Sequence, residues 1–186
     1  MQKYTDEQLV TDYLKGDEKA LEILVSQYLK PIYNFAYRYV GDTHYAEDIT
    51  QEIFVKMWRN LKKFDQTRKF KTWIFNIAKN ASIDFLRKKK AIPFSVFDNE
   101  EGENIITDNL IDTAPLAPEI FDRQDLAQKL LAAIDKLSLK YRSVIFLHYN
   151  NHFTFQEIAD SLEEPLNTVK SRHRRALIEL KKILAK

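Results

Sequence analysis

The sequence contains no cysteine, which excludes disulfide bridges and cysteine-ligated zinc or redox centres from this chain. Its three glycines and five prolines are too few for the many turns of an all-β fold, so we predict an all-α protein. The N-terminus has neither the basic nor the apolar stretch of a signal peptide, and no apolar run approaches the roughly 18 residues of a membrane span. We therefore expect a cytoplasmic protein.

The net charge of +2 conceals a strong asymmetry along the chain. Twelve lysines and arginines accompany two aspartates over 56–90, and seven accompany one glutamate over 165–186. The stretch 91–118 instead carries six carboxylates, three prolines and no basic residue. Basic blocks attract phosphate backbones, whereas an acidic stretch with prolines is typical of a linker. We predict two small helical domains, 1–90 and 119–186, joined by an acidic linker over 91–118.

Four amphipathic helices are predicted before the linker. Thr5 and Gln8 form a capping box at the start of the first helix, and Asp17 caps the second. Pro31 predicts a kink or break of the second helix near Leu29. The third and fourth helices are expected to run from about residue 43 to 64 and from about residue 70 to 89, each with one apolar stripe.

A helix-turn-helix is predicted after the linker, behind two further helices that run from about residue 120 to 137 and from about residue 138 to 149. Thr154 and Glu157 form a capping box that begins its first, short helix. The chain then turns over 163–165, and Asn167 is expected to cap the last helix.

The last helix has a buried side centred on Val169 and a polar outer side. The residues placed on or beside that outer side are Thr168, Lys170, Ser171, Arg174 and Arg175. Basic and hydroxyl side chains at the start of such a helix can bond base edges and phosphates in a major groove. The pattern favours duplex DNA readout over an ordinary surface helix.

Two more polar patterns lie on the third and fourth helices. Opposite the apolar stripe of the third helix lie Asp48, Gln51, Glu52 and Val55. This patch is either a protein-docking surface or a set of carboxylates that favour a helix start. The fourth helix carries Trp73, Asn76, Asn80 and Arg87 on one flank. Stacking, amide and basic groups of this kind suit single-stranded nucleic acid, although Trp73 could equally belong to the core.

No metal or catalytic site is predicted. His148 and His152 are four residues apart, a spacing that can bind metal on a helix, but no third ligand accompanies them. The carboxylates of the third helix lack a partner for acid-base chemistry. We therefore expect a binding protein without a cofactor.

Several short motifs resemble those of bacterial RNA polymerase sigma factors of the extracytoplasmic-function (ECF) group. D-I-T-Q-E-I-F at 48–54 resembles the signature of sigma region 2, and F-K-T-W-I at 70–74, with I-A-K-N and D-F-L-R further along, resembles the promoter-melting helix. Y-R-S-V-I at 141–145, F-Q-E-I-A at 155–159 and T-V-K-S-R at 168–172 are similar to region 4. The resemblance implies a sigma factor that binds core polymerase and directs promoter-specific initiation without catalysing a reaction itself.

The resemblance also implies three sets of binding residues. Docking on the largest polymerase subunit falls on Asp48, Gln51, Glu52 and Val55. Recognition and melting of the −10 element fall on Phe64, Lys71, Trp73, Asn76, Asn80 and Arg87. Recognition of the −35 element falls on Thr168, Lys170, Ser171, Arg172, Arg174 and Arg175. The resemblance further implies that region 4 binds the flap of the second-largest subunit. The acidic linker would thread the channel that later carries RNA. An anti-sigma factor would be a further partner. No small-molecule substrate is implied.

Three departures from the usual sigma pattern lie in the last domain. Glu163 and Glu164 stand where a glycine and an apolar residue are usual, Asn167 replaces a frequent glycine, and His173 replaces a common leucine on the inner face of the last helix. The alternative function is a helix-turn-helix regulator that binds operators without joining polymerase. Its N-terminal half would be a phosphate-receiver domain, which needs alternating strands and helices that this sequence does not predict.

Overall fold

The computed structural model describes residues 4–90 and 118–185, with side chains over 4–88 and 127–185. These residues form eight α-helices and one 3-10 turn, and no strand occurs among them, which confirms the all-α prediction. The helices are α1 Asp6–Leu14, α2 Glu18–Val40, α3 Thr43–Asn60, α4 Phe70–Lys90, α5 Pro118–Asp135, α6 Leu139–Tyr149, α7 Phe155–Leu162 and α8 Leu166–Leu184; the 3-10 turn is Leu61–Lys63. Apart from Pro118, the predicted acidic linker lies outside the described residues. None of the described helices is both long and apolar enough to span a membrane.

Side chains cap most of the helices of the N-terminal segment, residues 4–90, as predicted. The side chain of Thr5 accepts from the backbone N–H of Gln8, and the Gln8 side chain accepts in return from the backbone of Thr5. Asp17 accepts from Lys19 N–H at the start of α2. Gly41 ends α2 in the left-handed conformation that a side chain disfavours. Hydrogen bonds and backbone conformations within a few residues therefore account for where these helices begin and end.

Two local predictions were wrong, and a third was wrong in one of its alternatives. Of the kink or break predicted at Pro31, the break does not occur: α2 is continuous, because Tyr28 and Ile32 on either side of Pro31 are buried in the core and their packing offsets the lost hydrogen bond. The third helix ends at Asn60 rather than Phe64, and the chain tightens into the 3-10 turn that buries Leu61. Asn167 does not cap α8, because the helix already begins at Leu166 and the carbonyl of Pro165 accepts the first backbone hydrogen bonds.

Helix α4 is buried on two sides, only one of which was predicted. Phe70, Ile74 and Ala81 lie on the expected stripe and are almost fully buried. Phe75 is also buried, and its ring lies between Phe35 of α2 and Phe153 before α7, with centroid distances of 5.4 and 5.1 Å. The C-terminal segment, residues 118–185, thus packs against a second side of α4, and both segments contribute to one hydrophobic core.

A second contact between the two segments joins α2 to α6. The Ser143 hydroxyl lies 2.7 Å from the Tyr39 hydroxyl, and burial raises the pKa of Tyr39 to about 12. Arg142 donates from its guanidinium to the Arg38 carbonyl at 3.1 Å, and Arg38 in turn forms an ion pair with Asp135 at 2.9 Å. These polar contacts fix the end of α2 against the C-terminal segment.

The predicted helix-turn-helix is formed by α7 and α8. The capping box of Thr154 and Glu157 is present at the start of α7. Glu163 follows α7 with φ at 54°, so it occupies a left-handed position of the kind that helices usually fill with glycine. Glu164 forms an ion pair with Arg172 of α8, and both side chains are largely buried. The two unusual glutamates thus shape the turn and link it to α8.

Candidate nucleic-acid and polymerase interface

The outer face of α8 is exposed as predicted. Val169, Ala176 and Leu180 are buried against the rest of the C-terminal segment. The exposed residues near the start of the helix are Lys170, Ser171, Arg174 and Arg175, with Thr168 half-buried beside them. These side chains form one basic and hydroxyl-bearing surface, which is the arrangement that a recognition helix requires.

Arg172 differs from the other basic residues of α8. Its side chain is only 18% exposed and pairs with Glu164. An arginine held in this way positions the turn before α8 rather than projecting toward a groove. The T-V-K-S-R motif groups Arg172 with the predicted DNA-binding residues and does not indicate that Arg172 pairs with Glu164.

His173 lies at the edge of the helix-turn-helix core, among aromatic rings from α6 and α7. Its ring is 5.1 Å from that of His148 and 5.0 Å from that of Phe155. Its Nε2 atom is 3.2 Å from the Tyr149 hydroxyl. Burial, followed by the nearby His148, lowers the pKa of His173 below its usual value. The imidazole thus fills a position on the inner side of α8, against rings of α6 and α7.

The polar patch of α3 is exposed throughout. Asp48, Gln51 and Glu52 face solvent, and Val55 is 44% exposed. Asp48 is the sixth residue of α3, so it lies beyond the first turn in which carboxylates stabilise a helix start. Stabilisation of the helix start therefore does not explain Asp48, and Glu52 forms an ion pair with Lys56 one turn further along at 2.7 Å.

Trp58 extends the same face of α3 and was not predicted to be functional. It follows Gln51 and Val55 at helical spacing, and 54% of it is exposed. Its indole N–H donates to the Tyr13 hydroxyl at 2.8 Å, which fixes the ring against α1. A rigid, exposed tryptophan beside Val55 is a typical anchor of a protein interface.

The two aromatic residues predicted for the −10 surface, Phe64 and Trp73, pack against each other. Phe64 is buried, and its ring is 5.0 Å from that of Trp73 and 5.7 Å from that of Phe70. Trp73 stays partly exposed, so it is both a core residue and part of the surface. The two alternatives for Trp73 are therefore compatible.

The loop before α4 is held at both ends. Glu7 of α1 accepts from the backbone N–H of Phe70 at 3.0 Å, which caps α4 from a distant part of the chain. Asp65 accepts from the backbone N–H and the hydroxyl of Thr67 at 3.0 and 2.7 Å. These hydrogen bonds lower the pKa of Asp65 and give the loop a defined conformation.

Three of the predicted −10 residues of α4, Lys71, Asn76 and Asn80, face the C-terminal segment or each other. Lys71 Nζ donates to the Asn151 carbonyl at 2.6 Å, and burial lowers its pKa. Asn76 Nδ2 donates to the Ser161 carbonyl at 3.2 Å. Asn80 is exposed and donates to the Asn76 side chain, also at 3.2 Å.

Arg87 lies apart, at the C-terminal end of α4. It is exposed and lies 3.6 Å from Asp84. The predicted −10 residues therefore share α4 and the loop before it, but they do not form one open surface in this conformation.

No group of three potential metal-ligating residues occurs within the described side chains. The Nδ1 atom of His148 is 2.9 Å from the Phe153 carbonyl, so that ring nitrogen is occupied within the protein.

Two family comparisons match the two segments separately. Residues 24–92 match sigma-70 region 2, and residues 127–180 match sigma-70 region 4. The chain is 38% identical over 174 residues to the ECF RNA polymerase sigma factor SigW of Bacillus subtilis strain 168, covering 91% of each protein. The chain belongs to the ECF RNA polymerase sigma factors. The sigma factor is also 31% identical over 178 residues to the ECF sigma-E factor of Escherichia coli K12, covering 94% of this chain and 92% of that protein.

A solved structure has the same fold as this sigma factor. The sigma factor RpoE of Bartonella quintana, in complex with the anti-sigma factor NepR, superimposes with a TM-score of 0.70 at 23% identity. The match covers 90% of this chain and 98% of that protein. Together with the family matches, the fold disfavours the alternative of an operator-binding regulator with a receiver domain.

Proposed function

We propose that this sigma factor directs core RNA polymerase to specific promoters through three separate surfaces. One docks on the polymerase, one opens and reads the −10 element, and one reads the −35 element. The observation that carries this proposal is the exposed outer face of α8, formed by Lys170, Ser171, Arg174 and Arg175, in a chain that matches both sigma regions.

The docking surface is the exposed face of α3. Asp48, Gln51 and Glu52 provide polar contacts to the largest polymerase subunit, and Val55 provides an apolar contact that Trp58 extends. Val55 and Trp58 expose apolar surface to water in the isolated protein. Burying that surface against a partner would be favourable. The apolar pair is thus expected to contribute most of the binding free energy.

The −10 surface is assigned to α4 and the loop before it. Trp73 offers a ring for stacking, Asn76 and Asn80 offer amides for base edges, and Lys71 and Arg87 offer charges for phosphates. Phe64 supports the Trp73 ring from below rather than meeting DNA. The −35 surface is assigned to Thr168, Lys170, Ser171, Arg174 and Arg175, with Arg172 holding the turn.

Further partners follow from the same proposal. The flap of the second-largest polymerase subunit is expected to bind region 4. An anti-sigma factor is proposed because the structurally similar Bartonella protein was solved with one. The protein is expected to act in the cytoplasm with polymerase, to use no cofactor and to catalyse no reaction itself.

The docking assignment can be tested with two matched variants. Val55→Asp places a charge in the proposed docking face, whereas Ile23→Asp places the same charge at a similarly exposed position on α2, where the native side chain is 41% exposed. We expect Val55→Asp to weaken co-purification with core polymerase at least tenfold and Ile23→Asp to leave it unchanged. Equal binding by both variants would reject α3 as the docking surface.

A further inference from the structure

The two basic side chains of the T-V-K-S-R motif at 168–172 have different surroundings. Lys170 is exposed on the outer face of α8. The Arg172 side chain is only 18% exposed, and its Nη1 atom forms an ion pair with Oε2 of Glu164, whose side chain is 25% exposed. One of the charges that the motif offers to DNA is therefore neutralised within the chain.

Arg172 nevertheless lies within reach of the outer face of α8. An α-helix turns by about 100° per residue, so Arg172 is placed about 60° from Val169, the centre of the buried side. Thr168 precedes it by four residues and Arg175 follows it by three, which are the spacings of neighbours on a helix surface. The long side chain of Arg172, once released from Glu164, can therefore extend to the surface that we assign to duplex DNA.

A carboxylate and a phosphate bind an arginine in the same way. Both accept charge-assisted hydrogen bonds from the planar guanidinium group, often two at once. Glu164 thus takes, within the protein, the position that a phosphate oxygen of DNA would take at Arg172. A phosphate can bind this guanidinium only by displacing the carboxylate.

The backbone of the turn holds the Glu164 carboxylate in place. Its N–H donates to the Ala159 carbonyl of α7 at 2.9 Å, and Pro165, whose ring fixes φ, joins it directly to α8. Partly buried charges are also screened less by salt than exposed ones. A tethered and sheltered carboxylate therefore has an advantage over a phosphate that approaches Arg172 from solution.

A second carboxylate stands beside Glu164 but has a different partner. Glu163 is exposed and lies 3.7 Å from Lys79 of α4, whereas Glu164 pairs with Arg172 of α8. Both negative charges lie just before the start of α8, where the helix dipole would otherwise attract a phosphate. The two neighbouring glutamates thus share a general electrostatic effect on DNA, and Glu164 adds a specific one through Arg172.

We propose that Glu164 withholds Arg172 from the DNA backbone and so limits the sequence-independent part of duplex binding by α8. This inference rests on the proposed function, because it uses the assignment of α8 to −35 duplex DNA. A phosphate contact contributes to the affinity for a duplex of any sequence. Withholding one lowers binding to all duplexes and leaves the base contacts assigned to Lys170, Ser171 and Arg174 unchanged. Stable binding then depends on those base contacts and on the polymerase.

The test is a double-mutant cycle on Glu164 and Arg172 in the full chain. Glu164→Gln keeps the size of the side chain and removes its charge, and Arg172→Ala removes the guanidinium. Glu163→Gln is the matched control, because it removes the neighbouring carboxylate of the same turn and leaves the pair with Arg172 intact. The probe is a duplex of randomised sequence, and fluorescence anisotropy measures its binding between about 50 and 200 mM salt, where one phosphate contact changes the affinity about three- to fourfold.

We expect Glu164→Gln to bind the random duplex about threefold or more tightly than the wild type at the lowest salt, with a salt dependence steeper by about one phosphate contact. Arg172→Ala should abolish this gain in the Glu164→Gln background and leave the salt dependence of the wild type unchanged. Glu163→Gln should not add a phosphate contact, and Arg172→Ala should have no effect in its background.

Three results would overturn the proposal. A weaker salt dependence for Arg172→Ala alone would show that Arg172 already contacts a phosphate in the wild type. An unchanged salt dependence for Glu164→Gln would show that no contact is being withheld. An equal gain in Glu163→Gln would show that only the general charge of the turn matters.

A second duplex, taken from a promoter fragment that the protein transcribes with core polymerase, separates this role from a purely structural one. Glu164→Gln should raise the affinity for the promoter duplex and for the random duplex by the same factor. Weaker promoter binding with unchanged random binding would mean that the pair positions α8 for base contacts, and would overturn the proposal.

Transcription with core polymerase distinguishes failure of this inference from failure of the proposed function. If no variant binds either duplex while specific transcription persists, the role of Glu164 is rejected and the proposed function stands. If the protein supports no specific transcription at all, the proposed function itself is rejected.

Discussion

Replacing Phe153 with alanine should destabilise the whole molecule rather than the helix-turn-helix alone. Phe153 is 1% exposed and contacts Phe75 of α4, in the core that both segments share. Loss of a fully buried phenylalanine costs about 3–5 kcal/mol, which is a large part of the roughly 5–15 kcal/mol that stabilises a typical domain. Urea unfolding followed by far-ultraviolet circular dichroism and by tryptophan fluorescence would measure this loss. Both tryptophans, Trp58 and Trp73, lie in the N-terminal segment, so fluorescence reports on the segment that is not mutated.

The result that would refute the shared core is a separation of the two signals. If the fluorescence midpoint stays at its wild-type value while the dichroism midpoint falls, the two segments unfold independently. A double-mutant cycle with Phe75→Leu and Phe153→Leu keeps both sites apolar and tests the contact itself. We expect a coupling free energy of about 0.5–1.5 kcal/mol, as for other edge-to-face aromatic pairs, and a coupling near zero would show that the rings do not meet in solution.

Three further predictions concern the helix-turn-helix. Because burial lowers the pKa of His173, the unfolded chain binds a proton at higher pH than the folded chain, and the free energy of unfolding should fall as the pH drops below about 6.5. His173→Leu should reduce this loss of stability in urea titrations. An identical pH dependence in the variant would contradict the role given to His173. Glu163→Gly should raise stability by about 1 kcal/mol, since glycine avoids the strain of the left-handed conformation, and a lower melting temperature would contradict this reasoning. Arg174→Ala should weaken duplex binding and reduce its salt dependence by about one phosphate contact, whereas an unchanged salt slope would place Arg174 away from the DNA backbone.

Features set by neighbouring residues could be predicted from the sequence. The capping boxes at Thr5 and Thr154 and the end of α2 at Gly41 depend on hydrogen bonds or backbone conformations within a few residues. The buried side of α8 follows from helical periodicity around Val169. These features are local, so the sequence pattern contains all the information they require. The domain boundaries at 90 and 119 remain a prediction.

Features set by distant contacts could not be predicted in this way. The second buried side of α4 exists because Phe75 meets Phe153, and nothing in the periodicity of α4 indicates that partner. For the same reason Lys71 and Asn76 were predicted only as DNA-binding residues, although each donates to a carbonyl about 80 residues away in the chain. No prediction was made for Trp58, whose exposed position is fixed by a hydrogen bond to Tyr13, 45 residues away in the chain.

Individual binding residues depend on contacts that helical periodicity does not specify. A polar side chain on an amphipathic helix can face solvent, a partner or another part of the same chain, and periodicity does not separate these outcomes. Arg172 illustrates this, since the same motif that suggests DNA contact also places it beside Glu164.

The most direct test of the sigma function is transcription in vitro with purified core RNA polymerase and genomic promoter fragments. The protein should associate with core polymerase, and discrete transcripts should begin at specific sites only when it is present. Tight binding of duplex DNA by the protein alone, without association with core polymerase or any discrete start, would contradict the account.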